Sequence, residues 1–167
     1  MVIFETAFVS LQALRTMDDL ISKEYKDSLL LSLHGMRKDQ EMTDVVLRLP
    51  DQTTIPCHRL VLSAACPFFK TMFRSGLKES TQKEVKVEFG NAAIMKMVID
   101  YFYTSHIEIN SENVFDLVSA CEFLCLTQLK QHLGAFMTQE VDISNCFEFY
   151  RTARFYLLGP LEQHFAG

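Results

Sequence analysis

Three groups of residues have the types and spacing that could do chemistry. Asp44 and His58 bracket a short hairpin-like stretch and would supply the carboxylate and imidazole of a general acid–base pair. An enzyme would also need a nucleophile or a substrate cleft beside them. The chain has no Gly-rich phosphate loop, no nucleophile elbow and no HExxH, so a structural role is expected and no enzymatic activity. Cys121 and Cys125, at i, i+4 spacing, could put two thiolates on one metal, but no second Cys or His pair completes four ligands. Core cysteines are expected instead, with no metal and no cofactor. Tyr101 and Tyr103 would make a base-stacking platform only beside a basic groove; without one they are expected to be core aromatics with wet hydroxyls.

The elements that would position these residues can be read from periodicity. Val45, Leu47 and Leu49 alternate with Arg48, a turn falls at Pro50-Asp51-Gln52-Thr53, and the chain returns through Thr54, Ile55 and Cys57. From His58 the period becomes helical through Leu62, Ala65, Phe69, Met72 and Phe73, and Pro67 opens a second short helix. After a polar loop, Arg74 to Gln82, with Leu77 as its one aliphatic residue, a third strand is expected over Glu84 to Phe89. Asn91 caps a helix carrying Ile94, Met97, Val98, Tyr101 and Phe102; it ends at Thr104-Ser105, and a short strand follows over His106 to Ile109. Further helices start at Ser111–Glu112 and at Thr127, the latter capped by Thr127 itself. Ahead of the hairpin, Asp27 or Ser28 is expected to cap a helix from about Ser28 to Lys38 with Leu29, Leu30, Leu33 and Met36 as its apolar stripe. One helix cannot bury such a stripe by itself. Strands first and helices afterwards predict an α+β layer rather than βαβ units.

The chain has 167 residues, 49% of them apolar with 14 Phe and 8 Met, and a net charge of -5 without a Lys/Arg cluster. That supports one substantial core and argues against nucleic acid or an anionic membrane as partner; protein partners fit better. The five cysteines are odd in number and lie in apolar periodic segments, as expected for reduced thiols in the cytoplasm or nucleus. No apolar run approaches the roughly 18 residues of a membrane span, and the N-terminal MVIFETAFVSLQAL lacks a basic n-region and a cleavage site.

Residues 1–27 admit a strand at Val2-Ile3-Phe4 or a helix through Phe8, Leu11, Leu14 and Met17, packing on its own domain or crossing to a second subunit. At the other end, Asn145 and Glu148 form part of a capping box, and Cys146, Phe149, Tyr150, Ala153 and Leu157 share one helical face. Gly159-Pro160 stops that helix. The next opens at Leu161 and reaches Gly167 without a partner, so the natural chain is expected to continue.

In this order and spacing, Thr43-Asp44-Val45-Val46-Leu47, Cys57-His58-Arg59-Leu60-Val61-Leu62-Ser63-Ala64, Pro67-Phe68-Phe69, Tyr101-Phe102-Tyr103-Thr104 and Ala120-Cys121-Glu122-Phe123-Leu124 resemble the BTB/POZ domain over about residues 28–138. Residues 139–167, with Ser144-Asn145-Cys146, look like the start of the BACK region (3-box helices) of kelch-like proteins. The resemblance implies a BTB/POZ fold, a small sheet flanked by α-helices, and a homodimer with Leu29, Leu30, Leu33, Met36, Asp44, His58 and Leu62 at its interface. It implies that His58 caps its helix beside a half-buried Asp44 near that seam. It also implies binding to the cullin-3 N-terminal domain within a RING E3 ubiquitin ligase, while a C-terminal domain, expected to be a kelch propeller, binds the protein substrate. Leu77-Lys78-Glu79 stands where such members carry a bulky apolar residue, any residue, then Glu. A lone Leu in a polar loop can fill a partner's pocket, with Glu79 as a directional charge beside it. Phe123, Leu126, Gln128, Phe147 and Tyr150 would complete the contact surface. Two alternatives stay open: a BTB dimer that recruits transcriptional corepressors, and a self-assembly domain without a ligase role.

Overall fold

The computed structural model describes residues 23–76 and 81–158. Helix α1 covers 23–38. Strands β1 (Val45–Arg48) and β2 (Thr54–Cys57) form the expected hairpin, with Val45 opposite Cys57 and Leu47 opposite Ile55. Its reversal is held from within: the Asp51 carboxylate accepts from the Thr53 backbone N–H and hydroxyl, and Gln52 takes a positive φ of 70°. Two helices follow, α2 (Arg59–Ala65) and α3 (Pro67–Arg74), with Pro67 in the first turn of the second. The chain then enters β3, which is Glu84–Lys86, shorter than the Glu84–Phe89 expected. β3 runs parallel to β1, giving the sheet order β2-β1-β3. Val45, Leu47, Ile55, Cys57 and Val85 are buried on one face, and on the other Arg48 binds Glu84 through two N–H···O contacts of 2.7 and 2.9 Å.

The helical layer comprises α4 (Ala92–Thr104), α5 (Val114–Phe123), α6 (Thr127–Glu140) and α7 (Cys146–Tyr156). Asn91 caps α4 as expected, its side chain accepting from the Ala93 N–H at 2.9 Å, and Ser105 ends it in the left-handed region. The core joins the sheet's inner face to Phe69 of α3, Val98, Ile99 and Tyr103 of α4, Leu117 and Cys121 of α5, and Leu133 and Met137 of α6.

Several expected boundaries are corrected. Asp27 and Ser28 do not cap α1, because helix already runs from at least residue 23 and the Ser28 carbonyl accepts from the Ser32 hydroxyl inside it. Residues 106–109 form no strand among the described residues: the Glu108 carbonyl accepts from the Asn113 side chain rather than from a neighbouring strand. The same Asn113 Oδ1 accepts from the Asn110 N–H, and Asn110 Oδ1 accepts from the N–H groups of Glu112 and Asn113, so α5 starts only at Val114. This side-chain-built turn recurs before α7, where Asp142 Oδ1 accepts from Ser144 and Asn145, Asn145 Oδ1 accepts from Asp142, and Asn145 Nδ2 donates to Glu140. Asn145 is thereby committed outside the helix and forms no capping box with Glu148; α6, likewise, has no side-chain cap from Thr127. Leu157 is exposed while Leu158 is buried, because Leu157 adopts a positive φ of 53° and turns the chain out of the helical period. The expectations for residues 1–22 and 159–167 lie outside the described residues.

Candidate protein-docking surfaces

Asp44 and His58 come together, but as structure. Asp44 Oδ1 accepts the Arg59 backbone N–H at 2.7 Å, so an aspartate from ahead of β1 caps α2. His58 occupies the N-cap position without a side-chain cap bond, which corrects the expected His cap, and Asp44 is exposed rather than half-buried. The imidazole instead points inward. Its Nε2 lies 2.9 Å from the Glu41 carbonyl and can only donate there, so Nδ1 accepts from the Tyr103 hydroxyl at 3.1 Å; that hydroxyl in turn accepts the His58 backbone N–H at 2.9 Å. Tyr103 therefore has a fully bonded, buried hydroxyl rather than a wet one, and burial pushes its ionisation up. With both ring nitrogens hydrogen-bonded within the fold, the imidazole has no free nitrogen to offer a substrate. Replacing Asp44 by Ala is expected to cost about 1 kcal/mol, the scale of a lost N-cap, read as a lower urea midpoint with unchanged slope.

Cys57, Cys66 and Cys121 are buried, whereas Cys125 is exposed and Cys146 half-exposed, which corrects the expectation that Cys125 is a core cysteine. Burial pushes Cys57 and Cys121 up to about 12, so both stay protonated. The i, i+4 spacing of Cys121 and Cys125 is not realised on one helix face, because α5 ends at Phe123 and Cys125 has a positive φ of 58°.

Among the described residues, the surfaces that bear on the expected interfaces are of two kinds. The first is α1. Leu29 is 47% exposed, and Leu30, Leu33 and Met36 are half-buried, so the stripe is incompletely covered by its own protomer. Leu62 and His58, expected at the same interface, face their own core, and on α2 it is Leu60 that is exposed. The signal for Leu60 was available: a seven-residue helix apolar on both sides must be covered on both sides.

The second surface is aromatic. Phe68 of α3, Phe89 after β3 and Phe123 at the end of α5 converge, with ring centroids 3.4 Å apart for Phe89 and Phe123, 5.1 Å for Phe68 and Phe123, and 5.8 Å for Phe68 and Phe89. They line an open groove of about 790 Å³ whose lining also includes Gln82, Lys83, Glu84, Lys86 and Glu88. A second groove of about 520 Å³ adjoins it, lined by Phe68, Met72, Ser75, Lys86 and Cys125. Phe123 remains 46% exposed despite its stacking. Leu77 and Glu79 lie outside the described residues; of the described residues on either side of them in the chain, Ser75 lines the second groove and Gln82 the first. Of the other expected contact residues, Gln128 is exposed and Leu126 is packed in the core at 7% exposure. Phe147 and Tyr150 are exposed on α7, whose Phe149 packs edge-on to Phe115. Phe115 lies about 12 Å along α5 from Phe123, at about 1.5 Å per residue, so the α7 residues sit toward the other end of that helix. Phe68, Phe89 and Met72 were not expected at a docking surface, because they meet Phe123 only once α3, the segment after β3 and the end of α5 pack together.

The sequence profile of the BTB/POZ domain matches residues 33–141. The chain is 33% identical over 129 residues to Kelch repeat and BTB domain-containing protein 8 of Danio rerio, covering 77% of this chain and 22% of that one. It is 31% identical over 121 residues to human Kelch-like protein 21, covering 72% and 20%. The BTB domain of human Gigaxonin superposes with a TM-score of 0.59 at 28% identity, covering 68% of this chain and 91% of that domain. The BTB domain of zebrafish PATZ1 gives 0.62 at 26% identity, covering 71% and 95%. The chain spans about a fifth of the length of the kelch relatives it matches.

Proposed function

The chain belongs to the BTB/POZ family, and from that membership we propose that it is a homodimeric substrate-adaptor module of a cullin-3 RING E3 ubiquitin ligase. One protomer covers the α1 stripe of the other, the cullin-3 N-terminal domain docks on the aromatic groove, and a domain beyond this chain binds the protein substrate, in the cytoplasm or nucleus. The observation that carries the reading is the half-exposed Phe123 in a groove with Phe68, Phe89 and Gln82, beside a second groove that holds Ser75. An apolar groove with a mixed-charge rim suits a protein partner, where one anchor residue can carry much of the affinity.

Isothermal titration of the dimer with the cullin-3 N-terminal domain tests it. Binding is expected at one cullin per protomer, weakened by at least about 2 kcal/mol in Leu77→Asp, the scale of a lost interface anchor, and further in Leu77→Asp combined with Glu79→Ala, with the dimer mass unchanged. No binding by a well-folded dimer would remove the ligase role and leave corepressor recruitment or self-assembly.

A further inference from the structure

Helix α1 carries two polar atoms that are sealed from water without a partner, His34 Nδ1 and Arg37 Nη1. Buried polar atoms are seldom left so, and these two lie one turn apart on the helix that would form the seam between protomers. Arg37 is 6% exposed, with Nη2 on Asp100 of α4 and its guanidinium carbon 4.5 Å from the centre of the Tyr103 ring. His34 is half-buried and stands four residues after Leu30, on the same helix face. A subunit that packs on Leu30 therefore lies beside the imidazole. We propose that His34 is a pH-sensitive latch of the α1 seam: the neutral ring lets a second copy cover the helix, and the protonated ring opposes it. This rests on the homodimer reading given above.

Protonation would give Nδ1 a hydrogen that meets no acceptor among the described residues. The charged groups that act on the ring are Arg37 and Lys38 of α1 and Asp100 of α4. Two of the three are cations, and the carboxylate is already bound to Arg37. Burial, then Arg37 and Lys38, hold the imidazole below its usual value of 6.5, while Asp100 opposes them. Further covering by a second subunit removes more water and lowers it again. A base whose pKa falls on association favours the associated state above the free-state pKa and loses that advantage as the pH drops through the lower one. The dimer is thus expected to weaken on acidification below about 6.5.

The test is the dimer dissociation constant of donor- and acceptor-labelled protomers at pH 7.5 and 5.5, by energy transfer, for the wild type and His34→Asn. Each of the two imidazoles can contribute up to about tenfold per pH unit below its free-state pKa, so the wild-type constant should rise severalfold and that of His34→Asn should change little. An equal rise in both proteins would overturn the latch. A proton NMR titration reads His34 directly; a midpoint below 6.5 is expected, and one at or above 6.5 would also overturn it. A protein that is monomeric at pH 7.5 would overturn the dimer reading and the latch with it, while a chain that stays dimeric with a pH-independent constant would overturn the latch alone.

Discussion

Replacing Phe69 by Ala is expected to lower stability by about 3–5 kcal/mol, the range for emptying a buried aromatic site. Phe69 is fully buried, edge-on to Phe68 at 5.4 Å and stacked on Phe73 at 5.9 Å, in α3, the second helix after the hairpin. The loss combines the transfer energy of the ring with a cavity that α2 and α3 are too short to collapse without moving the sheet they cover. Against a typical stability of about 5–15 kcal/mol, this should show as a thermal midpoint lower by about 10 °C or more. Phe68→Ala is the matched control, because Phe68 is only half-buried at the groove; it should cost clearly less. Equal losses for the two would mean that the inward and outward faces of α3 have been assigned wrongly.

Replacing Asp100 by Ala is expected to cost about 3 kcal/mol, and replacing Arg37 by Met only about 1 kcal/mol. The two variants break the same ion pair, but its partners differ in access to water. Arg37 is almost wholly buried, so without Asp100 its charge is left with the Tyr103 ring as its main compensation. The Asp100 carboxylate is 37% exposed, so without Arg37 it can be hydrated, and a Met side chain keeps most of the apolar stem packing. That exposure is also why the cost for Asp100 stands at the low end of the range for buried pairs. Urea denaturation of both variants and of the double variant measures this. The double variant should recover much of the Asp100→Ala loss, since it removes the stranded charge. A larger loss from Arg37→Met than from Asp100→Ala would overturn the argument.

Both residues show where reading the sequence stopped. The apolar stripe read from the sequence leaves Arg37 out, because helical periodicity sorts residues by type and the partner that makes a buried arginine tolerable lies 63 positions away. Asp44 and His58 were recognised as a structural pair, yet which of them caps α2 depended on His58 being drawn to Tyr103 and Glu41. The hairpin and α4 were legible because their signals are local: alternation in Val45, Leu47, Ile55 and Cys57, and an Asn followed by a helical stripe. The strand expected at 106–109 failed for the complementary reason. Its alternation is genuine, but a strand also needs a neighbour, and Asn113 took the Glu108 carbonyl instead.

The sequence by itself determined the α+β class, the order of nearly all elements, the apolar stripe of α1 and the family, since these follow from periods of two and 3.6 residues and from motifs within short spans. Only the tertiary structure decided that β3 lies parallel beside β1, that Leu62 and Leu126 face inward while Leu60 and Phe123 face outward, and that Phe68, Phe89 and Phe123 form one surface. Such facts depend on how elements far apart in the chain pack together, and an apolar residue has the same local signature whether its covering neighbour is its own core or another protein.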